Sequence, residues 1–274
     1  ICKNSNLKPK ITIRVNNLKT TKNELRKSLQ SKEIEVEDGI LEDFLYLKNV
    51  KNITNLDEYK KGLFTMQDES AGLTALVLNP KEGESILDCC SAPGGKTTYI
   101  AELMNNNGNV MAWDLYKHRL DKVQENSKRL GIDIIKTEEN DATVLKEEYI
   151  EKFDKILIDA PCLGLGVIKR KPDIKWQRKF EDVEEISKIQ EKILNTCSKY
   201  LKKGGILVYS TCSIIQSENE KIVEKFLKSK NFELEEINNV NIENLENKIT
   251  KKGIIKLYPS ENMDGFFISK LIKK

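Results

Sequence analysis

Two cysteines stand in contexts that core packing does not require. Ile158-Asp159-Ala160-Pro161-Cys162 and Tyr209-Ser210-Thr211-Cys212-Ser213 each end an apolar run of strand type, and a carboxylate stands three residues before the first thiol. A cysteine is more often a small buried apolar group than a nucleophile, and Cys2 and Cys197 are read that way. Cys89 is read as structural, because strand alternation turns it away from the side where a ligand would lie. Cys162, Cys212 and Asp159 suit instead the methylation of a pyrimidine at C5, a carbon too weakly nucleophilic to take a methyl group unaided. A thiolate adding at C6 turns the ring into an enamine that attacks through C5. A carboxyl group sharing a proton at N3 favours that addition, and loss of the C5 proton then expels the sulfur. Covalent catalysis of this kind splits one hard step into easier ones. The chemistry by itself does not rank the two thiols. The single histidine, His118, removes Ser-His-Asp, Cys-His and multi-histidine metal chemistry. None of the six cysteines forms a C-x-x-C pair, so no metal is expected.

A second constellation opens where the run ending at Leu87 passes into Asp88-Cys89-Cys90-Ser91-Ala92-Pro93-Gly94-Gly95-Lys96-Thr97. Small residues let a ligand approach the backbone, and the helix start beyond them offers unpaired N–H groups. The loop is neither G-x-x-x-x-G-K-[ST] nor G-x-G-x-x-G. Asp114, at the end of the next strand, stands where an acid accepts hydrogen bonds from ribose hydroxyls. Asp141, in Asn140-Asp141-Ala142, is placed to meet an adenine amino group. A nicotinamide or an adenosyl cofactor satisfies these features equally.

The elements that must position these groups follow from periodicity. Residues 11–15, 34–37 and 44–47 read as strands around a helix at 21–29, a small α+β unit. After a helix at 70–78, strands at 85–87, 110–113, 134–136, 155–158 and 205–210 alternate with helices at 97–104, 118–130 and 184–200. This predicts an α/β fold with a doubly wound, mostly parallel Rossmann-like sheet. A helix at 218–227 and strands at 232–235 and 265–271 complete it, with 237–248 as a surface loop. The expected division is 1–68 as an N-terminal RNA-binding extension and 69–274 as the catalytic domain. Asp88, Asp114, Asp141, Asp159 and Cys212 all fall at carboxyl ends of strands, where open α/β sheets bind ligands.

Lys and Arg total 46 against 43 Asp and Glu, a net charge of +3 that does not itself announce a nucleic-acid partner. Clustering does more. Residues 1–30 hold eight basic groups, Arg14 among them, against the single acid Glu24; a solvated surface explains that cluster equally well. Residues 168–180 hold six (Lys169, Arg170, Lys171, Lys175, Arg178 and Lys179) against Asp173, beginning seven residues after Cys162. Trp176 within them either stacks on a base or anchors the loop in the core. No apolar run reaches the roughly 18 residues of a membrane-spanning helix, and a cytoplasmic, monomeric protein is expected. The chain starts at Ile1 rather than Met, as a fragment or trimmed chain would.

Together, LDCCSAPGGKT, IDAPCLGLG followed by VIKRKPDIKW, YSTCS and DGFFISKLIK resemble the RNA cytosine-C5 methyltransferase family. The likeness is to its bacterial small-subunit ribosomal RNA methyltransferase B branch, and it runs from Arg14-Val15-Asn16 to the end. By that resemblance, Cys90 through Lys96 with Asp114, Asp141 and Asp159 hold S-adenosylmethionine, assisted by Arg119. Cys212 is the nucleophile and Cys162 helps release the product, although DNA cytosine methyltransferases use the Pro-Cys thiol. Arg14, Lys169, Arg170, Lys171, Lys175 and Trp176 would contact RNA, most simply 16S ribosomal RNA. A transfer RNA or another ribosomal site is the alternative substrate, and a non-catalytic assembly factor the alternative role. The loop departs from the family pattern, in which one cysteine precedes two alanines; here Cys89 precedes Cys90, and Ser91 replaces an alanine. Members of the branch commonly carry a helical RNA-binding domain in front, outside these 274 residues.

Overall fold

In a computed structural model, which describes residues 2–241 and 243–274, two sheets lie in sequence along the chain. The first is antiparallel, in the order β2 (Glu35–Asp38), β3 (Phe44–Lys48), β1 (Ile11–Val15), β4 (Phe64–Met66). Helix α1 (Lys22–Gln30) covers it with Leu25 and Leu29, which pack on Ile13, Val15, Leu45 and Phe64. Thr21 and Glu24 close the start of α1 as a reciprocal capping box. A four-residue helix, α2 (Asp57–Lys60), leads into β4.

The long helix α3 (Glu69–Leu78) then crosses beneath the second sheet. Asp68 caps its first turn through the Ser70 amide, and Asn79 ends it in the left-handed conformation. From there strand and helix alternate: β5 (Ser85–Asp88), α4 (Gly95–Leu103), β6 (Asn109–Asp114), α5 (Lys117–Leu130), β7 (Ile135–Glu139), β8 (Phe153–Asp159), the short α6 (Ile174–Gln177), α7 (Asp182–Cys197) and β9 (Leu201–Thr211). Strands β7, β6, β5, β8 and β9 lie side by side and parallel. Beyond β9 come α8 (Glu220–Ser229), β10 (Phe232–Leu234), β11 (Lys248–Lys251), β12 (Ile254–Leu257) and β13 (Phe266–Lys273). β13 pairs antiparallel with β9, and the β11–β12 hairpin and β10 attach to it.

Both faces of the sheet are covered, which is why its central strands carry unbroken apolar runs such as Ile86-Leu87, Ile156-Leu157-Ile158 and Ile206-Leu207-Val208. Ile86, Leu157 and Val208 face one core with Leu73, Tyr99 and Ile100; their neighbours Leu87, Ile156, Ile158, Leu207 and Tyr209 face the other with Leu194, Cys197 and Phe226. The alternation puts Cys89 in that second core, as its strand position implied. Cys2, by contrast, is exposed rather than packed. The doubly wound sheet stands as read from the sequence. The β11–β12 hairpin and β4 were not foreseen, and the helix expected to reach Tyr200 leaves α-geometry at Cys197. Among the described residues, no helix is long and apolar enough to cross a membrane.

Candidate active site

The parallel register of β8 and β9 pairs Asp159 with Ser210. The two strands therefore deliver Cys162 and Cys212 to one place, and their sulfurs lie 3.0 Å apart. Backbone packing fixes the loops around them. The Gly166 amide donates to the Cys212 carbonyl and the Gly265 amide to the Gly166 carbonyl, each at 2.9 Å. A Cβ on Gly166 would sit 2.0 Å from the Gly265 oxygen, so only glycine allows these three segments to meet. Both thiols line a pocket of about 420 Å³, walled by Leu163, Gly164, Arg170, Lys171, Ile174 and Arg178.

The two sulfurs are not equivalent. With Cys162 donating its S–H, the Cys212 thiol is held below its ordinary value; burial and Asp159 oppose this, and the ammonium groups of Lys96 and Lys171 reinforce it. The same contact, together with burial, pushes Cys162 well above its ordinary value. The contact and its surroundings thus favour the thiolate at Cys212 over Cys162, and a lowered thiol is the more reactive one.

Asp159 sits at the junction of this pocket with the β5–α4 loop. Its Oδ2 accepts from Lys96 Nζ at 2.7 Å and its Oδ1 from Ser210 Oγ at 2.9 Å. Burial works against the charge on Lys96, but Asp159 outweighs it and holds the ammonium above its usual range. Deeper in the same loop, Asp88 accepts from Thr97 Oγ1 at 2.7 Å, and burial pushes its carboxyl up to about 7.

The loop itself turns at Gly94, which has a φ of +101° and lies against Val123 of α5. Asp114 is buried at the end of β6. It receives the Ala92 amide at 3.3 Å and the Tyr116 amide at 3.2 Å, and pairs with Arg119 at 3.1 Å. Arg119 also reaches the Ala92 carbonyl, so it ties the loop to the acid. Asp141 is exposed just past β7, where it accepts from the Thr143 amide. Two buried polar groups at these strand ends, Ser91 Oγ and Asn140 Nδ2, have no partner among the described residues. Unsatisfied donors beside a glycine turn and an acid suit a polar ligand with hydroxyl and amino groups.

The expected RNA contacts divide. Arg14 is fully buried and must be withdrawn from that role: it pairs with Glu102 at 2.7 Å, donates to the Gly95 carbonyl at 2.9 Å and bonds Gln67 and Thr98. A charge so enclosed pins the first sheet to the start of α4 and reaches no solvent. Lys169 is likewise buried, against Asp264 and the Ser260 and Met263 carbonyls. Arg170, although it lines the pocket, is neutralised by Asp68 and Asp264. Lys171 and Trp176 are exposed, as is Lys175, which touches Asn6. Trp176, 87% exposed, anchors nothing, and Phe180, equally exposed, joins it on the surface. Sequence reasoning missed Ser210, although its place opposite Asp159 in adjacent strands was a usable signal. It also missed the action of Lys171 on Cys212, which only the fold reveals.

Comparison with known proteins identifies the family and the fold. The family model described as 16S rRNA methyltransferase RsmB/F matches residues 75–272, and that of the RsmF/B-like ferredoxin-like domain matches residues 1–54. The chain is 39% identical to the probable ribosomal RNA small subunit methyltransferase B of Bacillus subtilis and 35% identical to ribosomal RNA small subunit methyltransferase B of Shewanella oneidensis. All of this chain aligns with each, and it spans 62% of their length. Among solved structures, it superposes on a methyltransferase homolog protein from Pyrococcus horikoshii with a TM-score of 0.86 and 30% identity, covering 100% of this chain and 90% of that one. NSun6 from Pyrococcus horikoshii with SFG gives a TM-score of 0.89 at 27% identity, covering 100% and 93%. On the match over residues 75–272, the chain belongs to the 16S rRNA methyltransferase RsmB/F family.

Proposed function

We propose that the chain transfers a methyl group from S-adenosylmethionine to C5 of a cytosine in small-subunit ribosomal RNA, with Cys212 as the nucleophile. The observation that carries this reading is the 3.0 Å approach of two thiols of unequal proton affinity, beside the Lys96–Asp159 pair. A packing role would require neither the polarisation nor the shared pocket. The names of the relatives supply the RNA, and NSun6 was solved with SFG, an S-adenosylmethionine analogue.

The residues fit the cofactor. Cys90 through Lys96 would cradle it, the orphaned Ser91 hydroxyl and Asn140 amide offer it unused hydrogen bonds, and Asp114 and Asp141 stand at the strand ends with Asp159. Bound there, S-adenosylmethionine supplies an electrophilic methyl group. The Cys212 thiolate adds to C6 of the cytosine, forming an S–C6 bond and moving the ring electrons toward C5. Asp159, held by the Lys96 ammonium, shares with N3 a proton drawn from solvent, and that proton is given back when the ring re-forms. Once C5 carries the methyl group, its hydrogen leaves as a proton to solvent water and the C5=C6 bond re-forms. The S–C6 bond breaks as it does so, and the sulfur leaves as thiolate. Cys162 donates its S–H to that departing sulfur, which assists release.

Lys171, Lys175 and Trp176 would hold the flanking strand by phosphate contact and stacking while the target base enters the pocket. Incubating the protein with labelled S-adenosylmethionine and 16S ribosomal RNA, transfer RNA, DNA or protein tests the reading. Label recovered as 5-methylcytosine in 16S RNA is expected; label on protein, or on another base, overturns it.

A further inference from the structure

The proposed chemistry needs the two sulfurs held in contact, yet among the described residues neither cysteine side chain bonds to anything but the other. Their neighbours are held instead. Glu218, at the turn before α8, is fully buried and, among the described residues, faces no cation within ion-pair distance. Its Oε2 accepts the Leu163 amide at 2.9 Å and Gln190 Nε2 at 3.0 Å, and its Oε1 accepts the Ser213 hydroxyl. Leu163 follows Cys162, and Ser213 follows Cys212.

Gln190 and Asn219 complete the grip from the other side of each thiol. Gln190 Nε2 also donates to the carbonyl of Pro161, the residue before Cys162, at 2.9 Å. Asn219 accepts from the hydroxyl of Thr211, the residue before Cys212, and donates to the Ser213 carbonyl at 3.0 Å. Gln190, Glu218 and Asn219 are each 0% exposed. Each cysteine is therefore clamped through both of its sequence neighbours, and one carboxylate spans the two clamps. A buried carboxylate without a cation is expensive. Charge-assisted hydrogen bonds from a backbone amide, a side-chain amide and a hydroxyl are what make it tolerable.

We propose that Glu218 is a positioning residue for the reaction read above: it locks the loops of Cys162 and Cys212 against one another and places its negative charge on the Cys162 side, so that Cys162 is the hydrogen-bond donor and Cys212 the acceptor. The asymmetry is visible in the surroundings. Glu218 adds to the upward push on Cys162, whereas the cations Lys96 and Lys171 act on Cys212.

Alkylation by iodoacetamide across a pH series, with peptide mapping of both thiols, tests this without RNA or cofactor. In the unaltered chain Cys212 should react first and at lower pH. Glu218→Gln keeps the shape and removes the charge. The ratio of Cys212 to Cys162 alkylation near neutral pH should then fall by about threefold or more, a shift of about half a unit. Glu218→Gln that unfolds at the unaltered temperature and keeps the original ratio overturns the proposal. If that variant does not fold, Ser213→Ala decides. Its loss of one tether should raise the Cys212 midpoint, and Ser213→Thr, which keeps the hydroxyl, should restore it; an unmoved midpoint overturns the proposal. A chain that makes no 5-methylcytosine fails in the methylation assay alone. An unaltered chain in which Cys212 is not the faster thiol fails here.

Discussion

The sulfur of Cys162 lies 3.0 Å from that of Cys212, although the residues are 50 apart in sequence. In the proposed reaction the contact divides the labour between them, because a thiol that donates raises the share of its partner present as thiolate. Cys162→Ala should therefore slow alkylation of Cys212 at neutral pH, since the donor that favours its thiolate is gone. With RNA and cofactor, the same variant should accumulate a covalent protein–RNA adduct as addition proceeds and release stalls. Denaturing gels check this; no shifted band where the unaltered protein turns over would remove Cys162 from the release step.

Asp114, at the end of β6, is the acid proposed to hold the ribose of the cofactor. Asp114→Ala should weaken S-adenosylmethionine binding about tenfold or more, as hydrogen bonds to a charged group contribute on the order of 1.5–3 kcal/mol. Calorimetry reads the affinity directly, and an unchanged value would reject the ribose contact.

Burial separates structural cations from those available to RNA. Arg14→Ala leaves Glu102 buried and unpaired, and should cost about 3–5 kcal/mol in denaturant unfolding. Replacing Lys171, Lys175 and Lys179 together by Gln should leave stability and cofactor affinity nearly unchanged. It should flatten the salt dependence of RNA binding by about 0.7 per lost charge on a single strand, roughly two in all. An unmoved slope would place the RNA elsewhere.

Asp88 gives the site a pH signature. Its carboxyl is raised to about 7 in the fold by burial, against an ordinary value near 4. The folded state thus holds a proton that the unfolded state releases, so stability should fall as pH rises from about 4 to about 7 and level off above. Asp88→Asn, which can still accept from Thr97, should remove this component and gain up to about 4 kcal/mol at pH 8 relative to pH 4. Urea unfolding at both pH values checks it; a gain equal at both would contradict the assignment.

Much of this architecture was legible because the physics is local. Ile86, Leu157 and Val208 belong to apolar runs too short for helices, and the helices between them force a parallel sheet with its ligands at the strand ends. Cys162, Cys212 and Asp159 could be read for the same reason, since they follow those runs directly. What was not legible depended on partners distant in sequence. Arg14 looks like any surface cation until Glu102, 88 residues away, encloses it. Lys169 belongs to a basic run whose counter-charge, Asp264, lies beyond β12. The β11–β12 hairpin was hidden because Lys248-Ile249-Thr250-Lys251 is an edge strand whose polar residues carry no clear alternation.

The central claim is that Cys212, and not Cys162, bonds to the target base. RNA carrying 5-fluorocytosine isolates that step, because fluorine at C5 cannot leave as a cation and the S–C6 bond persists after methyl transfer. Protease digestion and mass spectrometry of the trapped complex should place the RNA adduct on Cys212, with Cys212→Ala giving none. An adduct on Cys162, or an undiminished adduct in Cys212→Ala, would contradict the account.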